Sequence, residues 1–233
     1  MPACLSFSLG RLNYSEALDF QRLLVSQKQK EDLPEILLLL EHNHVITFGR
    51  EGKNENLLSD PKSLEQAGVE THYIERGGDV TYHGPGQLVV YPIFDLRHWG
   101  KDVHLFLRNL EEVIIRTLGQ YNLTAERVKG LTGVWVEGKK IAAIGVAAKK
   151  WITFHGLALN VNTDLSYFRF IHPCGLIDKP VTSMQELLGR EVDINEVSTL
   201  MTEEFAKVFG LEIKSGSREF LNELASEFRI ASL

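Results

Sequence analysis

The chain has 233 residues, 44% hydrophobic and 24% charged, the make-up of an ordinary globular protein with room for a sizeable core. A formal net charge of -6 excludes a global basic field for nucleic acid, and the longest apolar run, Ile36 to Leu40, is far too short to span a membrane. Two cysteines far apart, Cys4 and Cys174, make no disulfide framework; with an N-terminus that lacks a basic stretch before a long apolar core, they lead us to expect a cytoplasmic protein.

In chain order, Asn13 to Lys30 reads as a helix, with Asn13 as N-cap and Glu16 closing a capping box. Ile36–His42 and Val45–Gly49 read as strands separated by a turn, and Gln87–Ile93 as another. A second helix begins near Asp102. Val103, Phe106, Leu110, Val113 and Leu118 recur at helical spacing, and Gly119 stops it. Segments 133–138, 139–150 and 151–162 are each of strand length, and their tight joints at Gly138 and Lys149–Lys150 predict an antiparallel meander. The last third is helical again. Asp193 and Glu196 form a second capping box ahead of the stripe Val197, Met201, Phe205 and Val208. Strands and helices mix without βαβ alternation, and no linker or repeat divides the chain, so the expected class is α+β in one domain, 1–233.

Three stretches carry chemistry. In 76–86, Gly77–Gly78 and Gly84–Pro85–Gly86 let the backbone approach a ligand and leave N–H groups for a carbonyl, while Arg76 suits an anionic or carbonyl group; the bland alternative is a pair of structural turns. The loop matches neither G-x-G-x-x-G nor a Walker loop. Lys139 and Lys140 open a strand that is otherwise apolar and small. Side chains alternate, so one lysine joins the face of Ile141, Ala143 and Gly145, the other that of Ala142, Ile144 and Val146. A lysine desolvated there is a base or thiolate partner; the alternative is a hairpin-end lysine reaching water. Parity leaves the pair unresolved. Cys174 sits between Pro173 and Gly175, on a defined non-helical turn rather than in a core pattern. A thiol there is a candidate nucleophile if activated, with His172, Asp178, Lys139, Lys140, His83 and His155 as partners. The second cysteine of a PCxxC step and the glutamate of a zinc deaminase are missing, so no metal is expected.

The blocks RGGDVTYHGPGQLVVYPI, GVWVEGKKIAAIGV, FHGLALNVN and FIHPCG followed by VTSM, between about residues 76 and 185, closely resemble the lipoyl(octanoyl)transferase family. Met184, where leucine is commoner, is a mild, volume-conserving change. The resemblance implies a mixed, largely antiparallel sheet packed with helices, like the catalytic domains of lipoate and biotin protein ligases. It implies transfer of an octanoyl group from octanoyl-acyl carrier protein to a specific lysine of lipoyl domains, those of 2-oxoacid dehydrogenase complexes and of the glycine cleavage H protein. No cofactor, nucleic acid or membrane is implied. Cys174 would carry the acyl group as a thioester, and Lys140 would favour its thiolate. Substrate would be held by Arg76, Gly77, Gly78, Asp79, Val80, Thr81, Tyr82 and His83, by Ala143, Ile144 and Gly145, and by Gly156, Leu157 and Ala158. Thiol–thioester exchange needs no ATP, in keeping with the missing phosphate loop. The small residues would leave a slot for a linear chain, where seven buried methylenes gain about 5 kcal/mol. An ATP-dependent lipoate ligase, which has no use for Cys174, is the alternative. His83 and His155 are expected to orient rather than to transfer protons. Because acyl carrier proteins are acidic, Lys139, Lys149 and Lys150 are expected to form a basic patch near the site.

Overall fold

The computed structural model describes residues 1–172, 180–217 and 219–221. The run Ile36–Leu40 is apolar at every position because both faces of its strand are covered. Leu37 and Leu39 pack with Phe106, Leu110 and Phe205, whereas Ile36, Leu38 and Leu40 pack with Leu24 and Tyr91. That strand, β2 (Glu35–His42), lies inside a seven-stranded sheet. Its partners are β1 (Ala3–Leu12), β6 (Gln87–Ile93), β7 (Val134–Val136), β8 (Lys139–Lys149), β9 (Ile152–Asn160) and β10 (Glu212–Ser215), in the order β10-β1-β2-β6-β9-β8-β7. The β10–β1 and β1–β2 pairs are parallel; the other pairs are antiparallel.

One face of the sheet is covered by α3 (Val103–Gly119), the short α4 (Met184–Leu188) and α5 (Ile194–Phe209), the other by α1 (Tyr14–Lys28). Asp102 caps α3 through Leu105 N, and Asp193 caps α5 through Asn195 N. The expected Asn13 capping box does not form. Asn13 occupies the N-cap, but its Oδ1 accepts from Asn43 Nδ2 at 2.6 Å instead.

A second sheet, β4-β3-β5, joins β3 (Val45–Phe48), β4 (Glu70–Tyr73) and β5 (Val80–His83), with α2 (Pro61–Gln66) leading into β4. Thus β2 and β3 are not a hairpin: the turn between them passes the chain from one sheet to the other. Strands β1, β4, β5 and β10 lie outside the sequence expectation; β4 and β10 are only four residues long and largely exposed, so they carry little apolar pattern. The meander β7-β8-β9 forms as expected, but its second turn is Lys150–Trp151, at φ +52° and +71°, one residue later than the Lys149–Lys150 joint. Both residues take the left-handed conformation of a two-residue hairpin loop. Among the described residues, no helix is long and apolar enough to cross a membrane.

Candidate functional site

Antiparallel pairing sets Ala143 opposite Ala158 and Gly145 opposite Gly156. These four small residues share one face of the β8–β9 ladder, and a groove opens above them. A Cβ on Gly145 would meet Gly77 O at 2.9 Å and Arg76 Cδ at 3.0 Å, so the groove depends on glycine there. Its other wall is the 76–83 segment: Arg76, Gly78, Asp79, Thr81 and His83 line it, with Ile144, Leu157, Tyr14, Tyr91 and His155. Gly77, Val80 and Tyr82, expected in the substrate segment, do not line it. Residues 80–83 form a strand rather than a loop, so alternation sends Val80 and Tyr82 into the core and turns Thr81 and His83 to the groove. Gly77 docks the segment instead, its N–H donating to Val146 O at 2.9 Å. The expected free amides are partly committed, since Gly86 N also donates, to Glu41 Oε2 at 2.6 Å.

Arg76 is buried and clamps its surroundings. One terminal nitrogen donates to Thr47 O at 2.7 Å and Thr47 Oγ1 at 3.0 Å, the other to Gly77 O at 3.0 Å. Asp79 accepts from Lys53 N at 3.1 Å, Val80 N at 2.8 Å and the side chain of Asn56. Asn56 O in turn accepts from His172 N at 2.8 Å.

The groove runs on to Lys140, which shares a smaller recess with Thr81, Gln87, Ala143, Ala158, Asn160 and Val181. Uninterrupted alternation would put Lys139 on the face of Ala143 and Gly145. The structure reverses this. Val134 pairs with Ala142 but Trp135 with Lys140, so Ile141 is an extra residue in β8 and the alternation resets. Lys140 is buried beside Ala143, whereas Lys139 pairs with Glu186 at 2.9 Å on the surface. The Lys140 ammonium lies 5.3 Å from the centre of the buried Trp135 ring, within cation–π range. Its main chain holds the segment 180–182, with Lys140 N donating to Pro180 O at 2.9 Å and Thr182 N to Lys140 O at 3.0 Å. Cys174 lies outside the described residues. The described positions on its two sides, His172 and Pro180, are tied to Asn56 and to Lys140.

A buried polar chain joins the two halves of the site. His83 Nδ1 stands 2.8 Å from Gln87 Oε1; Gln87 Nε2 donates to Tyr82 O and to Asn160 Oδ1; Asn160 Nδ2 donates to Thr182 O. With the Gln87 amide turned this way its oxygen accepts, which assigns the His83 proton to Nδ1. Burial pushes His83 down to about 3, so the ring is held neutral there. His42 donates through Nδ1 to Leu12 O at 3.1 Å and accepts from Tyr91 through Nε2 at 2.7 Å; burial pushes it down to about 4. Cys4, by contrast, is buried in the core, and burial pushes its thiol up to about 12.

Lys149 and Lys150 do not join Lys139. They stand at the far end of the eleven-residue β8, about 30 Å away at ~3.3 Å per residue, so no single patch unites the three. Sequence reasoning missed Tyr14 and Tyr91 and left His155 unassigned to the substrate segments. Tyr91 falls inside a quoted block, but Tyr14 reaches the groove from α1 without any local signal.

The lipoyl protein ligase A/B catalytic domain family matches residues 13–206. An octanoyltransferase from Solibacter usitatus is 52% identical over 93% of this chain and 98% of its own, and one from Caldicellulosiruptor saccharolyticus is 50% identical over 93% of each. The chain belongs to the lipoyl protein ligase A/B catalytic family. A member of this family with such relatives is a transferase. Among solved structures, lipoate-protein ligase A bound with ATP superposes with a TM-score of 0.79 at 20% identity, over 97% of this chain and 94% of that one. The putative lipoate protein ligase of Thermoplasma acidophilum with bound lipoic acid does so at 0.76 and 19%, over 97% and 94%. These two likenesses establish the family fold, a mixed sheet packed with helices.

Proposed function

We propose that the protein moves an octanoyl group from octanoyl-acyl carrier protein to a lysine of lipoyl domains, with Cys174 as the acyl-carrying nucleophile. The observation that carries this reading is the small-residue groove of Ala143, Gly145, Gly156 and Ala158 leading to buried Lys140, whose main chain holds the residues that follow Cys174. A straight acyl chain fits such a floor, and octanoyl transfer is the activity named for the Solibacter relative.

The chemistry balances without ATP. The Cys174 thiolate adds to the thioester carbonyl carbon; the carrier sulfur leaves and takes a proton from the Lys140 ammonium. Octanoyl-Cys174 and neutral Lys140 remain. Lys140 then accepts a proton from the acceptor lysine's ammonium. The free amine attacks the thioester, the amide forms, one proton goes to solvent, and the Cys174 thiolate is restored beside the Lys140 ammonium. In this scheme Arg76, Thr81 and His83 supply the polar wall of the groove that holds the acyl chain.

The test is the covalent intermediate. Octanoyl carrier protein alone should add one octanoyl mass, on the peptide containing Cys174 and not on Cys4. Hydroxylamine should remove it, and a lipoyl domain should discharge it. Cys174→Ala should give no adduct and almost no transfer. Transfer at near wild-type rate by that variant overturns the covalent route, and turnover that requires octanoic acid and ATP assigns the chain to the ligases instead.

A further inference from the structure

His155 breaks the rule of its strand. It lies inside β9 with φ +56°, a left-handed conformation that a non-glycine residue adopts only when its surroundings impose it. The effect is visible in its direction. Phe154 and His155 are neighbours and should point to opposite faces, yet their rings lie 4.8 Å apart. The backbone thus swings His155 onto the groove face, beside Tyr91. Gln21 on α1 holds the turn, its Oε1 accepting from His155 N at 2.7 Å.

The ring is buried, and among the described residues neither of its nitrogens has a hydrogen-bond partner; Gln21 Nε2 has none either. Glu75 Oε2 is 3.9 Å from His155 Nε2, beyond a good hydrogen bond. Burial pushes the ring down to about 3, so it stands there as a neutral imidazole. Glu75 also lines a solvent-open recess of about 210 Å³ with Arg22, Val25, Ser26, Gln29, Lys149 and Phe154. Arg22 and Glu75 pair across this recess at 3.1 Å. His155 thus stands at the end of a groove floored by alanine and glycine, with Glu75 of the open recess on its other side.

We infer that His155 is the length gate of the acyl groove: it stops a linear acyl chain near eight carbons, because a longer chain must displace the ring and push its methyl end against Glu75 and Arg22. The inference rests on the groove holding the acyl chain, as proposed above. From the Ala143–Ala158 pair to the Gly145–Gly156 pair the floor runs two residues, about 7 Å, and His155 follows directly, which is the scale of an extended medium-length chain. Methyl and methylene groups gain by burial against alanine and leucine, and a chain end that passes the ring gives up that burial for the open recess beside the half-exposed Arg22–Glu75 pair.

The test compares kcat/KM for octanoyl, decanoyl and dodecanoyl carrier protein in the wild type, His155→Gly and Gln21→Met. Glycine accepts φ +56° without strain and removes the ring. Methionine keeps the shape of Gln21 but releases the His155 amide. The wild type should favour octanoyl over dodecanoyl by at least 10-fold. His155→Gly should shrink that ratio at least 10-fold, and Gln21→Met should shrink it less. Melting temperature monitors the fold of each variant; His155→Gly decides where it folds, and Gln21→Met decides where it does not. A ratio unchanged in the deciding variant while it still transfers octanoyl overturns the gate alone. A wild type that transfers octanoyl without discriminating against dodecanoyl also overturns it. A wild type that transfers no acyl group from any carrier overturns the proposed function and the gate with it.

Discussion

Gly133 and Lys140 pack so closely that a side chain on the first would displace the second. A Cβ built on Gly133 would lie 2.8 Å from Lys140 Cε and 2.6 Å from Ala142 O, and its φ of +132° belongs to glycine. The glycine is itself held. Its N–H donates at 3.2 Å to Glu111, a fully buried carboxylate that also takes Arg108 at 2.6 Å and Arg127 at 3.1 Å. A helix residue on α3 thus fixes the glycine that makes room for the groove lysine. Gly133→Ala should lower kcat/KM by roughly 100-fold, the scale of a ~1 Å misplacement, while leaving a folded protein with a modestly lower Tm. Near wild-type kinetics in the folded variant would remove Gly133 from the account of the site.

Lys140→Met should spare the fold, since the stem of methionine still covers Trp135. If Lys140 favours the thiolate as proposed, the rate of Cys174 alkylation against pH should move its midpoint upward when that charge is removed. Superimposed profiles for variant and wild type would show that Lys140 does not tune that thiol.

Stability should fall on mild acidification. His42, His83 and His155 are buried and pushed down to about 4, 3 and 3, so the native rings stay neutral while the unfolded chain takes up protons near pH 6.5. Below that pH the unfolded state binds more protons. The stabilisation is whole above about pH 6.5 and is lost progressively as pH drops toward 3 to 4, at up to ~1.4 kcal/mol per pH unit for each ring. Urea unfolding at pH 7, 6 and 5 should record this decline, and replacing His42 by Asn should flatten it. A stability that stays level to pH 5 would mean that the rings are not held neutral.

Charge reversal should separate the two ends of β8. Lys139→Glu acts at the end that carries Lys140 and also sets two carboxylates together, since Glu186 stands 2.9 Å from the lysine it replaces. The KM for octanoyl carrier protein should rise several-fold at low salt, with kcat little changed, and the effect should fade with added salt. The double variant Lys149→Glu, Lys150→Glu acts about 30 Å away along the strand and should leave KM within about twofold. The reverse ranking would place the carrier at the hairpin tip.

Local sequence pattern was enough for the class of fold and for the blocks that build the groove. Periodic apolar stripes announced α3 and α5, the capping aspartates marked their starts, and three short β-rich segments with tight joints described the β7-β8-β9 meander. Each of these is a local property: a 3.6-residue or 2-residue repeat, or a turn residue beside it. The resemblance in blocks 76–93 and 133–184 chose Lys140 over Lys139 and implied the roles of Lys140 and Cys174. What the chain could not state locally was decided by tertiary structure. The extra residue at Ile141 carries Lys140, not Lys139, onto the face of Ala143, and only the register against β7 reveals it. Residues 80–83 look like loop between glycines, yet pairing with Val45–Phe48 makes them a strand and divides their side chains between core and groove. Strand β10 is polar and finds its place only through β1, and Tyr14 reaches the groove because α1 packs over the sheet. His155 reads as one polar letter in an apolar strand; its left-handed backbone, imposed by its surroundings and tied to Gln21, turns it from the opposite face to the end of the groove. Strand pairing and the close approach of α1 override local alternation at these points, because burying both faces of the sheet stabilises the fold by more than a bulge or one strained φ costs.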